Sequence, residues 1–150
     1  MTSSVRAKTV FIIFLPLITL FFLQANILNA ETKSPEEVVK MFIAGYGTAR
    51  MDEAADLTTD KFRGDRPKSV WVVETWKTLN AIEYGRKESK VIDSRIGEKK
   101  AVVLVESEIT TNPANAVQRE IYILTKDENR WLIDDLIVTD EKIKLDDYEL

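Results

Sequence analysis

The spacing of apolar residues changes once along this chain, and this change restricts the fold more than any other feature. From Val38 to Leu79 the apolar residues recur every three or four positions, which is the period of an amphipathic helix. From Glu83 onward the chain carries short apolar segments with β-branched residues, divided by turn residues, which indicates strands. Helices first and consecutive strands afterwards predict an α+β arrangement, in which the helices pack on one face of a curved sheet.

Three helices are predicted in the first half of the chain. The first opens at Ser34-Pro35-Glu36-Glu37, which combines a capping box with a proline at the first helical position. A shorter helix is predicted over Met51–Leu57, and a third from Arg66-Pro67 to about Leu79. The third helix is predicted to turn inward Val72, Trp76 and Leu79, flanked by Trp71 and Val73.

Four antiparallel strands are predicted in the second half, because the connecting loops are short. The predicted strands are Glu83–Ile96, Ala101–Thr111, Val117–Lys126 and Trp131–Thr139. In the second strand Val103, Val105 and Ile109 are expected on the buried face, and Glu106 and Glu108 on the outer one. Residues 31–140 therefore form one predicted domain, and residues 141–150 a charged tail or a final short strand.

Three short segments of this pattern resemble a known superfamily. Ser34–Val39 and Met51–Leu57 resemble the first two helices of small exported NTF2-like proteins, which have a cystatin-like α+β cone. Asn129-Arg130-Trp131-Leu132-Ile133 resembles the opening of their last strand, with Asn129 where a glycine is usual. The resemblance implies a pocket between sheet and helices and frequent dimerisation through the sheet. It does not imply one activity, since this fold serves enzymes and binding modules alike.

Residues 1–30 have the pattern of a secretory signal peptide. The first nine residues include two basic side chains and no acidic one, and Val10–Leu23 is an apolar run. This pattern predicts cleavage after Ala30 and a protein exported to the periplasm or cell envelope. The apolar core is shorter than the roughly 20 residues that span a membrane. The alternatives are an earlier cut after Ala25 and retention of the segment as a membrane anchor.

Composition argues against several functional classes. The chain has 21 basic and 25 acidic residues and a net charge of −4. Acidic character argues against nucleic-acid binding and against docking on anionic lipids, because both depend on basic surface. The chain has no histidine and no cysteine, so it lacks an imidazole base, a thiol nucleophile and the usual zinc ligands. We therefore predict no cofactor, no metal site and a fold stabilised by its apolar core.

Candidate site residues come from two groups. The aromatic residues Phe42, Tyr46, Trp71, Trp76 and Tyr84 are candidates for lining an apolar pocket, although core packing explains their spacing equally well. Asp134 and Asp135 interrupt the apolar fourth strand. Because successive strand residues face opposite ways, one of them, taken as Asp135, is expected on the side facing the helices. A strand bulge or a surface ion pair would explain the two aspartates without a site.

Three functions remain open on the sequence alone. The first is an exported, non-enzymatic module that binds a small apolar or amphipathic ligand or an envelope protein. The second is a homodimeric assembly subunit whose cone is filled by side chains. The third is an isomerase-like or dehydratase-like pocket enzyme that uses Tyr46 with Asp134 or Asp135, which requires a carboxyl of raised pKa. An open cavity favours the first function, and a solidly packed cone favours the second.

Overall fold

The computed structural model describes residues 32–150, so the predicted signal peptide lies outside the described residues. The helices are α1 (Pro35–Gly45), α2 (Met51–Ala55) and α3 (Lys68–Ala81). The strands are β1 (Gly85–Ile96), β2 (Lys100–Thr110), β3 (Asn115–Asp127) and β4 (Arg130–Thr139), and a 3-10 turn follows at Leu145–Asp147. Within the described range, no helix has the length and apolar character needed to cross a membrane.

The strands form one antiparallel sheet in the order β1-β2-β3-β4, with the helices against one face. The predicted α+β fold with four consecutive strands is therefore confirmed, and each strand end lies within two residues of its predicted position. We call the helix-covered side the inner face and the opposite side the outer face.

Helix α1 begins where the sequence predicts it. The Ser34 backbone N–H donates to the Glu37 carboxylate at 2.7 Å, and the Glu37 backbone N–H donates to Ser34 Oγ at 3.2 Å. This reciprocal capping box satisfies N–H groups that have no partner inside the helix. The helix buries Val38, Val39 and Phe42 against the sheet.

Alternation along the strands places the core on the inner face. Val103 lies opposite Tyr122, and Ala101 lies opposite Leu124, so both pairs face the helices. The predicted division of β2 into a buried face and an outer face is confirmed, because Val105 joins the same core. Trp131, at the start of β4, is also buried there.

Helix α3 buries a different face from the one that the sequence predicts. Trp71 and Leu79 are buried and Val72 is half-buried, whereas Val73 is 67% and Trp76 37% exposed. Trp71 and Trp76 are five positions apart, so they project from different sides of a helix and only one of them can face the core. The packing selects Trp71, which contacts other aromatic rings, and leaves Trp76 at the surface.

Strand β4 contains a bulge, and the loop that follows α2 lies along part of its free edge. Ile123 lies opposite Asp135 and Leu124 lies opposite Ile133, so Asp134 is an extra residue in the ladder. On the other side of β4, the Ile133 N–H donates to the Leu57 carbonyl at 2.8 Å. The Ile133 carbonyl accepts from a backbone N–H of the loop that follows α2. The chain after α2 therefore covers part of the β4 edge.

Strand β1, at the other edge, is irregular at two points. Its register with β2 shifts between Arg86 and Glu88 and again between Val91 and Asp93. Lys87 and Ile92 are the extra residues at these two bulges. The first bulge lies beside the candidate site described below.

Residues 141–150, predicted as a charged tail or a short strand, fold back on the outer face of the sheet. Leu145 starts the 3-10 turn and is buried in a second, smaller apolar cluster. This cluster also contains Val102 and Leu104 of β2 and Ile121 of β3. The sequence pattern did not reveal this packing, because one leucine among charged residues has no periodicity.

Candidate functional site

Polar side chains occupy inward positions at one end of the inner face. Ser89 of β1 lies opposite Ser107 of β2, and Glu120 of β3 lies next to them opposite Val105. Arg86 comes from the start of β1 and reaches the same place. Strand register therefore brings four polar groups together under the end of α1, where alternation would otherwise place apolar residues.

The centre of this group is a buried ion pair. Arg86 Nη1 donates to Glu120 Oε2 at 2.8 Å, and Nη2 donates to Oε1 at 2.9 Å. The two side chains are only 11% and 3% exposed. Two parallel bonds between a guanidinium and a carboxylate fix both groups in orientation and make this a strong contact. Arg86 Nε is buried without a partner among the described residues.

Neighbouring groups complete the hydrogen bonding of the carboxylate. The Ser107 hydroxyl donates to Glu120 Oε2 at 3.0 Å, and the Tyr122 hydroxyl donates to the same oxygen at 3.0 Å. Gln118 Nε2 donates to Oε1 at 2.9 Å. Buried charge is tolerated when its remaining lone pairs are satisfied, and Glu120 meets that condition.

The ion pair determines the charge state of both partners. Burial alone would raise the pKa of Glu120, but the hydrogen bonds and positive charge of Arg86 outweigh burial and hold that pKa below its usual value. Burial alone would lower the pKa of Arg86, and Glu120 reverses this effect as well. At neutral pH the site therefore contains a carboxylate and a guanidinium that neutralise each other.

Two tyrosines lie between the ion pair and solvent. The Tyr84 hydroxyl accepts a hydrogen bond from Arg86 Nη2 at 2.8 Å, so its own proton is available to another acceptor. The Tyr46 ring packs edge-on against Tyr84, with 5.9 Å between ring centroids. Burial raises the pKa of both tyrosines, so both hydroxyls keep their protons at neutral pH.

These tyrosines line a cleft between the end of α1 and the start of β1. The cleft has a volume of about 330 Å³, and its walls include Ile43, Ala44, Tyr46, Tyr84, Arg86 and Ser89. A second cavity of about 210 Å³ shares Ile43, Ala44 and Ser89 with it and extends to Val91 and Val105. The second cavity is therefore mainly apolar, whereas the cleft is lined by the two tyrosines and Ser89 together with the charged Arg86, Lys87 and Glu88.

Gly47 allows the wall of the cleft to form. Its φ of 74° lies in the left-handed region, which glycine adopts without strain. A Cβ at this position would lie 2.8 Å from two ring carbons of Tyr84. A larger residue would therefore displace Tyr84 from its place over Arg86.

The structure brings together four of the six predicted site residues. Phe42, Tyr46, Trp71 and Tyr84 belong to one cluster of stacked and edge-on rings, which also includes Phe62 and Tyr122. Of these four, Phe42 and Trp71 are core residues, and only Tyr46 and Tyr84 line the cleft. Trp76 is separate, on the exposed side of α3.

Asp135, the sixth predicted residue, faces away from the cleft. The bulge at Asp134 shifts the alternation of β4, so Asp135 lies opposite Ile123 on the outer face and is exposed. Asp134 pairs with Lys61 at 2.6 Å and accepts from Thr59 at 2.9 Å. Burial would raise the pKa of Asp134, but these bonds outweigh it and lower the pKa. The predicted pairing of Tyr46 with a protonated aspartate is therefore not assembled.

A larger groove of about 780 Å³ lies at the opposite end of the strands, beside the β3–β4 hairpin. Its charges are mostly paired: Lys68 contacts Asp56, and the buried Arg63 contacts Asp60. No aromatic ring lines it. Across residues 32–150, no group of three or more acidic side chains is arranged to hold a metal ion. We therefore take the smaller cleft, with its buried polar floor, as the candidate site.

Arg86, Ser107 and Glu120 were not among the site residues predicted from the sequence. A pattern did exist, because Ser107 and Glu120 occupy inward positions of otherwise apolar strands. Arg86 could not be recognised in the same way, since the bulge after it changes the alternation of β1. Which basic residue balances a buried glutamate depends on strand register, and register is not visible in the sequence.

Comparison with solved structures yields the same fold. A SEC-C motif containing protein from Rhodopseudomonas palustris has a TM-score of 0.58 at 17% identity, over 71% of this chain and 80% of that one. A ketosteroid isomerase-like protein from Erwinia carotovora atroseptica has a TM-score of 0.54 at 16% identity, over 73% and 95%. A domain of unknown function with a cystatin-like fold from Nostoc punctiforme has a TM-score of 0.50 at 16% identity, over 74% of each chain.

The sequence matches no protein-family model and no curated protein. The structural likeness confirms the predicted resemblance: the chain has the α+β cone of NTF2-like, cystatin-like proteins. At identities below 20% the likeness extends to the fold alone, and the functions of such proteins differ.

Proposed function

We propose that this protein is a non-enzymatic binding module that takes up a small amphipathic ligand in the cleft between α1 and β1. The observation that carries the proposal is the division of this cleft into an apolar part and a part with two tyrosine hydroxyls over a buried ion pair. A cleft with apolar walls and few oriented polar groups is the usual form of a small-molecule site.

The chemistry of the walls supports a ligand of limited size with two ends. Ile43, Ala44, Val91 and Val105 offer apolar contacts to a hydrocarbon portion. At the other end, Tyr84 is already an acceptor from Arg86 and therefore favours a ligand atom that accepts a hydrogen bond. A carbonyl or ether oxygen is such an acceptor.

The ion pair favours an uncharged head group at this end. The guanidinium of Arg86 is occupied by both oxygens of Glu120, so it has little positive charge to offer an incoming carboxylate. The pair instead orients Tyr84 through the bond from Nη2. We infer that the ligand is a neutral molecule with one oxygen acceptor and an apolar body.

The proposal is tested with a neutral ketone probe, 6-propionyl-2-dimethylaminonaphthalene (Prodan), whose emission moves to the blue in apolar sites. Ala44 is exposed and lines both parts of the cleft, so Ala44→Trp closes the cleft with little effect on the core. Met41→Trp is the matched control, because Met41 lies on the same helix and does not line the cleft. We expect Ala44→Trp to abolish binding and Met41→Trp to preserve it. Equal binding by both folded variants would contradict the proposal.

A second candidate is an assembly subunit without a ligand, and the packing of the cone favours it. The rings of Phe42, Phe62, Trp71 and Tyr122 pack against one another between helices and sheet, and the cleft lies to the side of this cluster. Native mass spectrometry of protein purified from the cell envelope separates the two functions. A retained small-molecule mass supports the binding module, and a ligand-free dimer supports the assembly subunit.

We also propose that the protein works outside the cytoplasm, in the periplasm or cell envelope. This proposal rests on the basic start and apolar run of residues 1–30 alone. Fractionation of cells that express the full chain, with the intact mass of the product, provides the test. A periplasmic chain beginning at Glu31 supports export with cleavage, and an intact chain in the membrane fraction supports an anchor. A cytoplasmic intact chain contradicts both.

A further inference from the structure

The outer face of the sheet is crossed by residues 141–150, which we call the strap. Leu145 of the strap is 2% exposed and packs on Val102, Leu104 and Ile121. Other strap side chains, Ile143 and Tyr148, are half-buried against the cluster that Leu145 forms with these three residues. The strap therefore covers an apolar patch that belongs to two central strands.

Hydrogen bonds from two strands, β1 and β3, attach the strap to the outer face. On β1, Arg95 Nη1 donates to the carbonyl oxygens of Leu145 at 2.8 Å and Tyr148 at 3.0 Å. On β3, Arg119 Nη1 donates to the carbonyl oxygen of Asp140, just before the strap, at 3.5 Å and to that of Glu141, the first strap residue, at 3.4 Å. One fully buried side chain and a few bonds to carbonyl oxygens make a local attachment that can be released without opening the main core.

The apolar surface continues beyond the strap. Ile137 of β4 lies opposite the covered Ile121 and is exposed, and so is Val117 of β3 on the same outer face. Removal of the strap would join Ile137 to Val102, Leu104 and Ile121 in one patch, and the charged pair Glu106 and Arg119 separates Val117 from it. Contiguous apolar patches on a protein surface usually mark a site of protein contact.

The charges around the patch fit a second copy of the same chain. Lys90 of β1, Glu106 of β2 and Arg119 of β3 form a row across the outer face, with alternating sign. A copy displaced by one strand would place its carboxylate against a cation of the first chain and its cation against the carboxylate. A surface that carries both signs in this way is self-complementary, as a two-fold interface requires.

We propose that the strap blocks self-association through the outer face, and that a second copy of the chain occupies this face when the strap is displaced. The inference is independent of the ligand cleft, which lies on the inner face. It bears on the predicted homodimer, because a dimer through the outer face requires the strap to leave Val102, Leu104 and Ile121.

The test compares two carboxylates introduced at neighbouring positions of the strap. Leu145→Asp places a charge against the apolar patch and releases the strap, whereas Lys144→Asp introduces the same group at an exposed position. Sedimentation velocity over a range of protein concentrations measures the dimer dissociation constant, and circular dichroism checks the fold. We expect Leu145→Asp to lower this constant at least tenfold and Lys144→Asp to leave it unchanged.

Two further variants keep the result interpretable. Arg95→Met removes both carbonyl contacts, and Arg95 belongs to neither apolar cluster, so this variant measures strap release if Leu145→Asp fails to fold. Adding Ile137→Lys to the released chain places a charge beside the patch and should restore the original dissociation constant. A folded, released chain that stays monomeric would overturn the proposal. Association that Ile137→Lys does not reverse would overturn it too.

Discussion

The two faces of the sheet carry the same kind of ion pair in different surroundings. On the inner face Arg86 and Glu120 are buried, doubly hydrogen-bonded and supported by three further donors. On the outer face Arg119 contacts Glu106 at 2.9 Å, with both side chains partly in solvent. Water screens the outer pair, and its contribution to stability is small. The inner pair depends entirely on its partners, so the fold must hold both residues in place.

The largest expected effect tests this contrast directly. Arg86→Met leaves the Glu120 carboxylate buried without its cation, and we expect the free energy of unfolding to fall by about 3–5 kcal/mol. Arg119→Met, the matched change on the outer face, should cost less than about 1 kcal/mol. Urea denaturation measures both values. Similar losses in the two variants would remove the distinction between the faces.

The same pair predicts how stability depends on pH. Because the pKa of Glu120 is lower in the folded chain than in the unfolded chain, its contribution is fully present above the ordinary glutamate pKa of about 4.3. It is lost as the pH falls through the lower folded value. The double variant Arg86→Met with Glu120→Leu lacks this contribution and should lose less stability in acid. Parallel pH profiles of the two proteins, measured by urea denaturation, would contradict the expectation.

A smaller effect is expected from one hydroxyl group on each face. Tyr122→Phe removes a buried hydrogen bond to the charged Glu120, and we expect a loss of about 1.5–3 kcal/mol in the free energy of unfolding. Tyr148→Phe removes a hydroxyl of the strap, for which no hydrogen bond is found within residues 32–150, and should change stability by about 0.5 kcal/mol or less. Equal losses would indicate that the inner network adds nothing to the fold.

The smallest expected effect is on ligand affinity. It compares a tyrosine hydroxyl of the cleft with one on the outer face. Tyr84→Phe removes the donor that Arg86 orients toward the cleft, and we expect Prodan to bind about fivefold to tenfold more weakly. Stability should change little, because Tyr84 is only half-buried. Tyr148→Phe again serves as the control from the outer face. Unchanged affinity in Tyr84→Phe would exclude this hydroxyl from ligand binding.

Local chemistry made most of the fold predictable, and long-range contacts account for what was missed. The capping box at Ser34 and the alternation in β2 depend on residues close in sequence, and both are present as predicted. The inward choice between Trp71 and Trp76 depends on rings supplied by α1 and the following loop. The outward position of Asp135 depends on a bulge that no neighbouring residue indicates.

The candidate site was predictable only in its aromatic part. Tyr46 and Tyr84 were recognised as members of the aromatic set that was predicted to line an apolar pocket. Arg86 and Glu120 are 34 positions apart and meet only through the register of three strands. Glu128 is a smaller example: Asn129 stands where the resemblance has a glycine, but the positive φ of 51° in this turn falls on Glu128.

The two bulges of β1 limit the growth of the sheet. An exposed edge strand offers a row of backbone donors and acceptors to any passing strand, and regular edges of this kind start fibrils. Lys87 and Ile92 interrupt that row at two points, and the first interruption brings a lysine to the edge. At the opposite edge, the loop after α2 occupies the backbone of Ile133. The four strands therefore resist extension by a fifth strand from another molecule, and association is directed to the faces of the sheet.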